Sequence, residues 1–139
     1  MFMEKIRKIM LFKSYFKDFY VAQTQTVRDK INFVLKLVES QRMIPKKFFR
    51  IIEGSDGIYE IRVEFESNIY LKYYTMPETR DEIRVEFESN IYRIFCCMDD
   101  GAVVVLFHGF QKKTQKTPQK EIKRAEAIKK EYFKSKEAK

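Results

Sequence analysis

The chain has 139 residues and a mass of 16.9 kDa; 45% of them are hydrophobic, 35% charged and 15% aromatic, and the formal net charge is +8. That length suits one domain over residues 1–139, and the apolar content excludes a disordered chain, which lacks the hydrophobes to offset ordering entropy. No stretch of about 20 residues is free of charge, which excludes a membrane-spanning helix.

The first twenty residues are interrupted by Lys5, Arg7, Lys8, Lys13 and Lys17 and carry no small-residue cleavage site, so the chain reads as cytoplasmic. Residues 5–12, KIRKIMLF, are short, apolar and flanked by charge, as expected of a first strand. Tyr15, Phe16, Phe19 and Tyr20 recur at three- and four-residue spacing and predict a short helix. An amphipathic helix follows over 24–42, with Val27, Ile31, Val34, Leu35 and Val38 on one face and a capping pair at Thr26 and Asp29. Pro45 suits the first position of another short helix, KKFFRII, ending at Gly54.

From Gly57 the period changes to two. Ile61, Val63 and Phe65 alternate with Arg62, Glu64 and Glu66, which predicts a half-buried strand turning at Ser67-Asn68. Residues 93–98 and 102–108 read as a hairpin about Asp100-Gly101, and the apolar run AVVVLF as a strand covered on both faces. A loop, GFQKKTQK, then leads to a last helix with Thr117 as cap, Pro118 in its first position and an apolar stripe of Ile122, Ala125, Ile128 and Tyr132. Strand, helices, antiparallel strands and helix in that order make an α+β fold. Cys96 and Cys97 are adjacent on a strand and so point to opposite faces, which argues against a disulfide between them.

The sequence EIRVEFESNIY occurs twice without mismatch, at 60–70 and 82–92, an offset of 22 residues. Identity over eleven residues implies a recent tandem duplication or a deliberate insertion, and two units are too few for a solenoid. Two identical strands compete for one place in a sheet. The expected outcome is a sheet extended by an extra hairpin with Tyr73-Tyr74 in a new strand; the alternatives are one copy looped out, whose exposed edge would allow a homodimer, or a two-state register.

Residues 112–139 hold eleven Lys or Arg and four Glu, a net +7, so the other 111 residues carry only +1. Such a segment fits either a polyanion-binding surface or a solvated helix. One His and two adjacent Cys match no zinc spacing; Glu64 with Glu66 and Glu86 with Glu88 share strand faces, most simply as solvated ones. The four glycines form no phosphate loop, and strand cysteines beside a lone His make a poor nucleophilic pair. The chemistry that remains is cationic: Arg62 or Arg84, Arg93, Lys112, Lys113 and Lys116. Arg93 interrupts an apolar face shared with Ile91 and Phe95, so it needs a partner, either a carboxylate such as Glu86 or an external phosphate. His108 ends the last strand and could serve as acid, base or structural histidine.

Residues 91–132, IYRIFCCMDDGAVVVLFHGFQKKTQKTPQKEIKRAEAIKKEY, closely resemble the end of phage-derived Gp49-like/HigB toxins of the RelE/ParE type II toxin-antitoxin superfamily; GIYEIRV resembles the family's second strand. Without residues 71–92 the chain reads as an uninterrupted family member. The resemblance implies a RelE-like fold and a ribosome-dependent mRNA endoribonuclease that uses the 2′-hydroxyl as nucleophile, without metal or cofactor. It implies a cognate helix-turn-helix antitoxin as partner. Carried over by position, it assigns catalysis to Arg93, Lys112, Lys113 and His108 and RNA binding to Arg62, Arg84, Lys116 and Lys120. The alternatives are a toxin of the same fold that poisons gyrase, or a chain whose duplicated strand alters fold or oligomerisation and abolishes activity.

Overall fold

The computed structural model describes residues 5–75, 81–112 and 118–137, with side chains described outside residues 65–89. Strand β1 (Lys8–Leu11) leads to helices α1 (Tyr15–Val21) and α2 (Gln25–Ser40). Strands β2 (Phe49–Ile51), β3 (Tyr59–Thr75), β4 (Asp81–Asp99) and β5 (Val103–Lys112) follow, and helix α3 (Gln119–Glu137) ends the described chain. The sheet order is β1-β5-β4-β3-β2; β1 lies parallel to β5 and every other pair is antiparallel. The architecture is α+β with an open mixed sheet, as the sequence predicts, and is consistent with a RelE-like fold.

Helices cover both faces of this sheet. On one face Val27, Ile31, Val34 and Val38 of α2 and Phe16 of α1 pack on Ile61, Val63, Ile94, Cys96, Val104 and Leu106. On the other, Ile122, Ala125, Ile128 and Tyr132 of α3 pack on Ile58, Phe95, Cys97, Val105 and Phe107. The predicted helical stripes are these two contacts. Cys96 and Cys97 fall in different clusters, both buried with free thiols, as strand alternation demands. Burial pushes the Cys97 thiol up to about 11, which leaves it a poor nucleophile.

Five local expectations are corrected. The α2 cap is Thr24, whose extended backbone lets its hydroxyl accept from the Val27 amide at 3.3 Å; Thr26 is already inside the helix. KKFFRII is not a helix: Phe49–Ile51 is strand β2, paired with Tyr59, Glu60 and Ile61, and the Phe49 ring stacks on Tyr59 at 5.1 Å. Ladder bonds and an aromatic stack outweigh the weak helix signal of a seven-residue segment. The turn after Asp99 has three residues rather than two, because Asp99 pairs with Val103; Asp100 and Gly101 both have positive φ, as a hairpin turn needs. The start of GFQKKTQK is not loop, since Gly109 to Lys112 continue β5 against Ile91 to Ile94. Thr117 lies outside the described residues, but the Pro118 carbonyl accepts from Ile122 at 3.3 Å, placing the proline at the start of α3.

The fifth correction concerns the repeat. Ser67 and Asn68 form no turn; they sit within β3, opposite Glu88 and Phe87 of β4. The two copies pair antiparallel with each other, Phe65 opposite Asn90 and, reciprocally, Phe87 opposite Asn68. Tyr73 and Tyr74 therefore lengthen β3, opposite Ile83 and Glu82, instead of making a new strand. Copy one takes the place beside the core of β4 because of what precedes it. Ile58 is fully buried and Tyr59 stacks on Phe49, whereas copy two is preceded by Arg80 and Asp81. Burying that charged pair among apolar side chains would cost more than the roughly 2–7 kcal/mol of an unpaired neutral polar group.

Candidate functional site

Strand alternation and register assemble a row of cations from four strands. Arg50 of β2 lies opposite Glu60 of β3, Arg62 opposite Arg93 of β4, and Ile91 opposite Lys112 of β5. Residues opposite one another share a sheet face, so Arg50, Glu60, Arg62, Arg93 and Lys112 all lie on the face that carries α3. Like charges directly opposite repel, and the arrangement at Arg62 and Arg93 needs an anion nearby.

Glu60 is that anion. It is 1% exposed, ion-paired to the equally buried Arg93, and accepts from Arg50 Nε at 3.1 Å. Of the two partners the sequence allows Arg93, a carboxylate such as Glu86 or an external phosphate, the structure has the carboxylate, but it is Glu60, one residue from the core-facing Ile61 and therefore on the opposite face. Burial pulls the Arg93 guanidinium below its ordinary value while Glu60 opposes the shift. Arg62 is half-buried, with one guanidinium nitrogen 3.8 Å from Glu64 and its Nε buried without a hydrogen-bond partner among the described residues. Burial and then the Arg93 charge pull the Lys112 ammonium below its ordinary value, with Glu60 opposing. An open cleft of about 520 Å³ reaches this group past Lys46, Arg50 and Glu53 and is floored by Glu60 and Arg93.

His108 takes a different position. Cys96 pairs with Leu106 and Ile94 with Gly109, so two β5 residues, Phe107 and His108, oppose Phe95 alone. This bulge turns both toward α3. The imidazole is 2% exposed, meets the Phe95 ring edge-on at 5.6 Å and lies 6.0 Å from Phe110. Its Nε2 is 3.6 Å from a Glu121 oxygen, and neither ring nitrogen has a hydrogen-bond partner among the described residues. Burial, aided by Arg124, brings its pKa down to about 4, so it is neutral at physiological pH.

The fold thus brings Arg62, Arg93 and Lys112 together and places His108 beneath α3, enclosed by rings. Lys120 is exposed in the first turn of α3. Lys113 and Lys116 lie outside the described residues. Arg84 is opposite Lys72, far along the hairpin from Arg93, so copy one supplies the arginine of the row. Sequence reasoning missed Arg50, hidden in a segment read as helix, and Glu60, although its alternation with Ile61 already put it on the face of Arg62. Among the described residues no group of three or more His, Cys, Asp or Glu is placed to hold a metal, and no helix is long and apolar enough to cross a membrane.

Residues 76–130 match the model of a family described as Phage derived protein Gp49-like (DUF891). The match bears out the resemblance read from residues 91–132, and this family is associated with toxin-antitoxin-type proteins. It takes in copy two of the repeat and leaves copy one outside. No curated protein and no solved structure matches the chain.

Proposed function

We propose that this protein is the toxin of a toxin-antitoxin pair, a single-domain cytoplasmic endoribonuclease that cuts mRNA on the ribosome. The observation that carries the reading is the row Arg50, Arg62, Arg93 and Lys112 on the sheet face that carries α3, organised around the buried Glu60. A cationic cleft of this kind suits a phosphodiester, whose charge grows in the pentavalent transition state. In the reaction proposed, the 2′-oxygen of one nucleotide bonds to the adjacent phosphorus and the bond to the 5′-oxygen breaks. A 2′,3′-cyclic phosphate and a 5′-hydroxyl result.

Lys112, its ammonium already destabilised by burial and by Arg93, is the candidate acceptor of the 2′-hydroxyl proton. Arg50 lines the cleft and Arg62 lies on the same sheet face opposite Arg93; these two are assigned to hold the phosphate, while the buried Arg93 adds positive field and is itself fixed by Glu60. Lys113, Lys116 and Lys120 follow in sequence and extend the electrostatic path for RNA. A helix-turn-helix antitoxin and the ribosome are the partners this reading requires.

The test is cleavage of a translated mRNA with purified ribosomes. The full chain is expected to cut, and Lys112→Ala/Lys113→Ala to lower the rate by about 100-fold or more. A chain lacking residues 71–92 is expected to cut as well, because copy one then joins residue 93 in an ordinary hairpin. Intact mRNA with every protein, together with stalled replication, would instead support a gyrase poison.

A further inference from the structure

Within the register that joins the two copies, Asn90, Ile91, Tyr92, Arg93, Ile94 and Phe95 of β4 face Phe65, Glu64, Val63, Arg62, Ile61 and Glu60 in turn. If copy two turned on itself at Glu88-Ser89, the same six residues would face Phe87, Glu86, Val85, Arg84, Ile83 and Glu82. The replacement is identical at every position, because the copies are identical. The register seen between copies is the register of a hairpin within one copy. We infer that copy two is a second donor to the cationic site: folded back as a hairpin, it sets Glu82 and Arg84 in the places of Glu60 and Arg62.

Three independent observations support this. The family match spans residues 76–130, which takes in copy two with the rest of β4 and β5 and leaves out copy one, so copy two is the copy that continues into the matched segment. Among the described residues, the paired copies have no third strand beside them past Glu64 and Ile91: β2 reaches only Tyr59 to Ile61, and β5 only Ile91 to Asp99. A two-stranded ribbon without a third strand gains little stability, so little is lost by dissolving it. Finally, the loop after β2 would lengthen about fourfold, from 52–58 to 52–80, which costs only roughly eightfold in population by chain entropy.

What holds copy one in place is its flank. Exchange replaces Tyr59 opposite Cys96 by Asp81, and the buried Ile58 by Arg80. The balance between the two forms is therefore set at residues 58 and 59, outside the repeat and outside the cationic row. The consequence for RNA cleavage rests on the function proposed above, but the strand position does not.

The experiment is disulfide trapping in the full chain. Glu64→Cys/Ile91→Cys reports the form described here and Glu86→Cys/Ile91→Cys the exchanged form, each mapped by peptide mass after oxidation. The first pair is expected to close fast and the second slowly. Installing the copy-two flank before copy one, Ile58→Arg/Tyr59→Asp, is expected to reverse that order. Absence of the 86–91 bridge in that variant, while the 64–91 bridge still forms, overturns the inference; so does a bridge formed between two chains instead of within one. Should the double flank variant not fold, Tyr59→Asp alone must raise the 86–91 rate relative to the 64–91 rate, and an unchanged ratio overturns the inference. Because no arm reads RNA cleavage, an inactive protein would leave the strand exchange decided either way.

Discussion

Glu60 and His108 are two buried polar side chains with opposite circumstances. Glu60 is satisfied from both sides, by Arg93 within the sheet and by Arg50 at its margin. Removing its charge leaves Arg93 desolvated beside Arg62, so Glu60→Gln is expected to cost about 3–5 kcal/mol in denaturant unfolding. Arg50→Ala, at a half-exposed site, should cost about 1 kcal/mol or less in the same assay. His108 has aromatic rings where hydrogen bonds would be. Its pKa of about 4 lies below the ordinary 6.5, so between those values the unfolded chain binds the proton and the folded chain does not. The stability this group contributes is complete above about pH 6.5 and is lost as the pH falls toward 4, at most about 3 kcal/mol. Urea midpoints at about pH 4.5 and 7.5 should differ less in His108→Leu than in the parent chain. Its burial and its absence from the lining of the cleft, rather than its neutrality, give His108 a structural place in the proposed mechanism and leave proton transfer to Lys112.

At the scale of elements, legibility follows the strength of local periodicity. Helices α2 and α3 span four turns or more, and each presents one apolar stripe to the sheet, so both could be read directly. Strand β2 could not: three residues carry no periodic signal, and pairing with Tyr59 to Ile61 decides their state. Strand β5 reads correctly through its apolar run and then runs four residues past His108, where Gly109 looks like a loop signal. The glycine is there for space. A Cβ at Gly109 would lie 2.5 Å from Phe19 Cδ2 of α1, so no side chain fits without moving that ring. Gly109→Ala is expected to lower stability by about 1–3 kcal/mol through overpacking, seen as a lower melting temperature, whereas the exposed Gly101 has open space around its Cβ position.

For the molecule as a whole, the cationic row exists only because four strands lie in one register. Arg50, Arg62, Arg93 and Lys112 span 63 residues of chain from first to last and meet through the order β5-β4-β3-β2. Helices on both faces hold that order, burying Ile94 and Cys96 on one side and Phe95 and Cys97 on the other. The amino-acid sequence by itself determined the α+β class, the helical stripes, the opposite facing of the two cysteines and the basic character of the C-terminal segment. Each follows from period or composition, which are properties of neighbours along the chain. It also brought Arg62, Arg93 and Lys112 into view by residue type. Only the tertiary structure decided that Glu60 is the counter-charge of Arg93, that Arg50 joins the row, that His108 is enclosed, and that copy one stands beside the core of β4. Those outcomes depend on which surfaces become buried together, and identical strands can be ranked only by the different flanks they bring into the core.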